Sequence, residues 1–194
     1  MPKIKRKSET PKVTIYVDTC ILQGALSRRN TKDTIFMDKI REKGWEVFTS
    51  IHTLMELFDI AKDRKYLIKK VLDEWGAVNS FLRSRDRKNL NRSELDDIST
   101  EIGNFFTTHN FITLGNITED VWRDVMSIGQ SSNIHSSDAL HLALALMWEC
   151  QVLVTHDQFF IREGNRILKE AKMENKLRVC DVDKVEETLE EILL

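Results

Sequence analysis

The stretch from Ser136 to Asp157 constrains the fold more than any other part of the chain. Residues 139–148 are apolar except for His141, and a helix apolar on nearly every side has to be buried. Ser136 or Ser137 is the expected N-cap, which puts Asp138 in the first helical turn. Cys150-Gln151 breaks the run, and Val152-Leu153-Val154 has the length and composition of a strand inside a parallel sheet. Thr155-His156-Asp157 follows at the carboxyl end of that strand, where open α/β sheets place their ligands. One aspartate thus opens a buried helix and a second closes the next strand.

Upstream, the same alternation repeats. Residues 1–11 form a polar tail carrying Lys3, Lys5, Arg6 and Lys7. Val13-Thr14-Ile15-Tyr16-Val17 is the expected first strand, ended by Asp18-Thr19 and followed by a short helix from Cys20. Asp18 reads either as a site residue or as that helix's N-cap. Asn30 or Thr31 caps the next helix, which Gly44 stops in a left-handed conformation. Residues 45–49 are the second expected strand. Ser50 caps a helix that buries Leu54, Leu57, Phe58 and Ala61, with Glu56 two turns in. Glu56 alone would read as a solvated residue. The helical pattern continues to about residue 92, and a further helix spans 93–108. Residues 111–114 make a third strand, Thr118 starts a helix, 177–179 make a last strand and 183–193 a closing amphipathic helix. Strands alternating with helices indicate one α/β domain over residues 12–194, with a central, mainly parallel sheet in a three-layer α/β/α arrangement.

Composition narrows the function classes. At 194 residues the chain is large enough for one substantial core. The formal net charge is −2 and the pI about 6.2, so nucleic-acid binding needs a local basic surface rather than a global field. The cluster Arg83, Arg85, Arg87 and Lys88 is the candidate for contact with a phosphate backbone, against the plainer reading of a solvated helix face. Three cysteines without paired spacing favour reduced thiols, no apolar run reaches membrane-spanning length, and the chain is expected to be cytoplasmic.

Asp18, Glu56, Asp138 and Asp157 all fall at strand carboxyl ends or helix amino ends, which share one edge of a parallel sheet. Clustered carboxylates repel one another unless a divalent cation neutralises them. Oxygen ligands select hard ions, Mg²⁺ or Mn²⁺, which activate water and stabilise charge developing on a phosphodiester. Of the nearby histidines, His141 reads as a structural residue of the buried helix and His156 as a candidate near substrate.

At these residues the chain resembles the PIN-domain nucleases. The matching segments are Ile15-Tyr16-Val17-Asp18-Thr19, Val47-Phe48-Thr49-Ser50 with Leu54-Met55-Glu56-Leu57, Asp138-Ala139-Leu140-His141-Leu142-Ala143, and Leu153-Val154-Thr155-His156-Asp157-Gln158-Phe159. The resemblance implies a PIN-like fold and a metal-dependent endoribonuclease with Asp18, Glu56, Asp138 and Asp157 as catalytic and metal-site acids. Thr155 is similar to the hydroxyl residue that accompanies the last aspartate. Many relatives in that family are VapC-type toxins held inactive by an antitoxin, so an antitoxin protein and a homodimer are implied partners beside the RNA substrate. The helical segment over about 62–110 is longer than such compact toxins need.

Two rivals are weaker on the residues. A phosphatase of the haloacid-dehalogenase type expects a second aspartate two positions after the first, where this chain has Cys20. Nucleotide-cofactor binding lacks a glycine-rich phosphate loop after a strand. A catalytically silent PIN-like module that binds RNA or protein is the alternative from another class, and retention of all four acids argues against it.

Overall fold

The computed structural model describes residues 12–28, 30–73 and 90–193. Along them run β1 (Thr14–Val17), α1 (Thr19–Ser27), α2 (Thr31–Lys43), β2 (Glu46–Ser50), α3 (Ile51–Asp73), α4 (Arg92–Thr108), β3 (Ile112–Gly115), α5 (Glu119–Ser131), α6 (Ser136–Met147), β4 (Val152–Val154), α7 (Gln158–Glu170), β5 (Arg178–Cys180) and α8 (Val185–Leu193). The tail of residues 1–11 and the cluster Arg83, Arg85, Arg87 and Lys88 lie outside the described residues.

The five strands form one all-parallel sheet in the order β3-β2-β1-β4-β5. The two-residue alternation of strand side chains sorts the core onto its two faces. Ile15, Val17, Val47, Ile112, Val152 and Val154 point to one side, where α1, α2, α3, α4 and α8 cover them. Tyr16, Leu153 and Val179 point to the other, beneath α5, α6 and α7. Helices on both faces complete the three layers that the alternation of elements predicts. Residues 139–145 of α6 are all buried, which is why that helix tolerates no polar face. The described parts of the 62–110 segment pack into the α3 layer: Ile98, Ile102 and Phe105 join the core, and Lys65 pairs with Asp97 at 2.6 Å.

The chain runs outward from β1 to β3 and then returns through α5 and α6 to β4, on the opposite side of β1. The carboxyl ends of β1 and β4 therefore flank the topological switch point, the position at which open sheets leave a crevice. Most caps follow the sequence. Asn30 Oδ1 accepts from the Lys32 N–H, Gly44 takes the left-handed conformation at φ 65°, and Ser50 Oγ accepts from the Thr53 N–H. At α6 the expectation is corrected. His135 occupies the N-cap position and no side-chain oxygen caps the helix, because Ser136 and Ser137 are already helical and Ala139 N–H is satisfied by His135 O. Among the described residues no helix is long and apolar enough to cross a membrane, and Cys20, Cys150 and Cys180 are free thiols.

One close approach braces the layer beneath the crevice. A Cβ added at Gly24 of α1 would stand 1.7 Å from Asp33 Oδ2 and 2.8 Å from its Cγ. Asp33 is wholly buried and its Oδ1 is held by His156 Nε2 at 2.6 Å, so neither group retreats freely. Alanine gains about 1 kcal/mol over glycine in a helix interior, whereas forcing atoms into a packed site costs about 1–3 kcal/mol. Gly24→Ala is therefore expected to lower the urea midpoint despite its better helix propensity. An unchanged or raised midpoint would mean that Asp33 is free to move.

Candidate metal centre

The register of β1 against β4 builds the first half of the centre. Val17 pairs with Val154, so the residues that follow meet at the sheet edge. The Asp18 N–H donates to Val154 O at 3.1 Å, and the Thr155 hydroxyl donates to Asp18 Oδ2 at 2.6 Å. Asp18 Oδ1 accepts from the Thr19 N–H at 2.6 Å, so Asp18 is also the N-cap of α1. Its two sequence readings, helix cap and site acid, are compatible. The Thr155 hydroxyl oxygen in turn accepts from the Asp157 N–H at 3.1 Å. One side chain thus ties the end of β1 to the turn that carries the last aspartate.

Glu56 enters from α3. Its Oε2 accepts from the Thr19 hydroxyl and from His141 Nε2, the latter at 3.2 Å. His141 Nε2 also lies 3.5 Å from Asp18 Oδ1, while Nδ1 is 2.7 Å from the Tyr16 hydroxyl. Burial pulls the imidazole pKa down, but the hydrogen bond to Glu56 and the charges of Asp18, Glu56 and Asp138 outweigh it and hold it above the ordinary value. Burial would raise Glu56, and the hydrogen bonds from His141 and Thr19 outweigh that in the other direction. Both shifts favour an imidazolium–carboxylate pair. His141 is buried as its sequence position implies, yet it is not merely a packing residue, because it bridges two of the candidate acids.

Asp138 is different. Its Oδ2 is buried and has no hydrogen-bond partner. Loss of solvent and then the charges of Asp18 and Asp157 push its pKa up to about 6. Those two couplings place it within electrostatic reach of both neighbours. Asp157 caps α7, its Oδ1 accepting from the Phe159 and Phe160 N–H groups at 2.8 and 3.0 Å, and the residue is exposed at the rim. Among the described residues, none of the four carboxylates forms an ion pair with lysine or arginine.

The structure therefore joins Asp18 and Glu56 through Thr19 and His141, and links Asp18 to Asp157 through Thr155. Asp138 feels the charges of Asp18 and Asp157, offset in part by His141 and His135, and its Oδ2 has no hydrogen-bond partner. His156 is turned away from them. It is held between Asp33 and Asp181, at 2.6 and 3.2 Å, which makes it a brace rather than a group near substrate. Cys20 contacts Asp18 Oδ2 at 3.3 Å as a neutral thiol, its pKa pushed up to about 12 by burial and by that carboxylate. Sequence reasoning missed His52, whose Nε2 is 3.3 Å from Glu56 Oε1. The legible signal was the spacing of four, which puts His52 and Glu56 on one face of α3.

A hard divalent cation fits this donor set: the acids offer only oxygen, and the orphaned Asp138 Oδ2 lacks the hydrogen bond that a buried carboxylate otherwise requires. The raised pKa of Asp138 fixes a sign. Unfolded aspartate titrates near 3.8 and the folded residue near 6, so the native state loses stability as pH rises through that interval. With ions chelated, Asp138→Asn is expected to raise the melting temperature at pH 7, with the gain shrinking as pH falls and vanishing by about pH 3, below both pKa values. Melting curves across this range are the measurement, and a variant destabilised at every pH would instead mark Asp138 as a helix-dipole residue. No protein-family model matches the chain, and no curated protein matches it in sequence, so the geometry of the centre carries the functional reading.

Proposed function

We propose that the chain is a metal-dependent ribonuclease of the PIN-domain type, hydrolysing RNA phosphodiester bonds with water activated at Asp18, Glu56, Asp138 and Asp157. The observation that carries this reading is Asp138, a buried carboxylate oxygen without a partner, beside two further aspartates and without lysine or arginine to balance them among the described residues. A protein that needed only a capped helix here would gain from asparagine or serine. Asp18, Glu56, Asp138 and Asp157 would hold Mg²⁺ or Mn²⁺, which would supply the missing positive charge, polarise the scissile phosphate and lower the pKa of a coordinated water.

The chain's own residues divide the remaining work. Asp18, fixed by the Thr19 amide and the Thr155 hydroxyl, is the immobile ligand. Asp138 is the member whose charge most needs the ion. Glu56 is held at both oxygens, Oε2 by His141 and Thr19 and Oε1 beside His52. Asp157, exposed at the rim, is the acid that an incoming strand of RNA meets first. Phosphate is repelled by such a pocket and must be held from its margin, for which Arg83, Arg85, Arg87 and Lys88 are the proposed contacts. Membership of a toxin–antitoxin pair, with an antitoxin partner and a homodimeric toxin, belongs to the same reading and follows from the resemblance alone.

One observation favours the alternative of a silent RNA- or protein-binding module. The imidazolium of His141 already compensates part of the charge on Asp18 and Glu56, which lowers the need for a cation on that side.

The two readings separate by experiment. The wild-type protein is expected to cleave RNA with Mg²⁺ or Mn²⁺ and to stop on chelation, and Asp18→Asn should abolish turnover while RNA is still bound. Thr155→Val keeps the side-chain volume but removes the hydroxyl's hydrogen bonds with Asp18, Asp157 and Cys20, and it should cost about 10–100-fold in metal affinity or activity, as loss of an outer-sphere partner does. Changing Arg83, Arg85, Arg87 and Lys88 together to alanine should raise KM more than it lowers kcat and flatten the salt dependence of binding. Wild-type protein that binds RNA without metal-dependent cleavage supports the silent module.

A further inference from the structure

The inner corner of the centre is built from nitrogen as well as oxygen. His52, Glu56 and His141 each present one ligating atom, and the three atoms lie within 4.8 Å of one another. His52 Nε2 is 3.3 Å from Glu56 Oε1, and His141 Nε2 is 3.2 Å from Glu56 Oε2. A tetrahedral ion with bonds of about 2.1 Å spaces its ligands about 3.4 Å apart. Each imidazole thus stands at about that spacing from one oxygen of Glu56, and the carboxylate lies between them. Asp18 Oδ1, 3.5 Å from His141 Nε2, supplies a further oxygen on the inner side.

Two independent features point to an occupant. His52 Nε2 is buried and its near neighbour, Glu56 Oε1 at 3.3 Å, makes no hydrogen bond with it, while the side chain as a whole is 30% exposed. A buried nitrogen facing a carboxylate without a hydrogen bond is placed to share an ion with it. His141 is oriented from behind: its Nδ1 lies 2.7 Å from the Tyr16 hydroxyl, and the ring is almost fully enclosed. Without an ion, Nε2–H donates to Glu56; an ion bound here would displace that proton, leaving Nδ1–H to donate to Tyr16 and the Nε2 lone pair to ligate. Fixing a ligand's ring through its other nitrogen is how proteins orient metal-binding histidines.

We propose that His52, Glu56 and His141 form a transition-metal subsite that takes Zn²⁺ in preference to Mg²⁺. Imidazole nitrogen suits zinc and is a poor ligand for magnesium, which prefers an all-oxygen shell. Glu56 belongs to both ligand sets, so Zn²⁺ in this corner competes with the hard ion of the carboxylate centre for a shared side chain. The subsite goes beyond the ribonuclease reading and stands whether or not RNA is cleaved.

The test uses the full chain, stripped with chelator. Zn²⁺ affinity is read by competition with a chromogenic chelator, and Co²⁺ is added separately as a spectroscopic probe. The expected result is one Zn²⁺ per chain and an intense visible Co²⁺ spectrum of four- or five-coordination. His52→Ala should weaken Zn²⁺ by more than the about 10–100-fold that loss of an outer partner costs. It should leave the gain in melting temperature with Mg²⁺ intact, while Asp138→Asn does the reverse. His52→Gln keeps much of the volume without the imidazole and repeats the measurement if the alanine variant folds poorly. Zinc affinity indifferent to both His52 changes overturns the proposal, as does the weak spectrum of a six-coordinate oxygen shell. A thiolate-to-cobalt charge-transfer band, placing the ion on Cys20, overturns it too. Loss of RNA cleavage with zinc binding unchanged would count against the ribonuclease alone.

Discussion

The parallel pairing of β1 with β4 is the constraint on which the centre depends. Because Val17 sits beside Val154, Asp18 and Thr155 emerge together at the switch point and are joined by a short hydrogen bond. A register slip of one residue would turn Asp18 toward a helix layer and replace it at the crevice with an apolar side chain. The apolar alternation of Ile15, Tyr16 and Val17 between two covered faces forbids that slip. The same packing that stabilises the sheet thereby positions an acid to within hydrogen-bond length, without help from any loop.

Charge sets the second layer of organisation. Asp18, Glu56, Asp138 and Asp157 sit near strand carboxyl ends or helix amino ends, and the fold answers them unequally. Glu56 and Asp18 share the imidazole of His141, Asp157 is satisfied by two helix amides, and Asp138 has neither. This gradient from compensated to uncompensated runs across the crevice from α3 toward α6. It places the strongest demand for an external cation at Asp138 and the most nitrogen-rich surroundings at Glu56.

Much of this was legible in the residues, and the exceptions have physical causes. The strands announced themselves as β-branched or apolar runs, and Asp18, Thr155 and Asp157 were found because they directly follow those runs. Glu56 and His141 were harder, since a helix interior reveals which face is buried but not which distant side chain lies against it. His141 looked like packing because its helix is buried on every side; its partners come from β1 and α3, over a hundred and over eighty residues distant. His52 was passed over for the same reason, although its spacing from Glu56 was visible. The N-cap of α6 was misplaced by one or two positions because two consecutive serines look like a cap, while backbone geometry had already started the helix at Ser136. The partners of His156 depend on the approach of α2 to the turn after β4, which no local pattern encodes.

The complete burial of β1 and β4 has a consequence for motion. Tyr16, Val17, Leu153 and Val154 have no solvent exposure and lie in the middle of a five-stranded ladder, so their amides exchange with solvent only when the whole sheet opens. Asp18 and Thr155 are anchored to that slowest unit. Glu56 and His52 ride on the first turns of α3, where Ile51 and Met55 are exposed but Thr53 and Leu57 are buried against the sheet. Half of the centre is thus clamped by the ladder itself, and the other half only by the helix packed upon it.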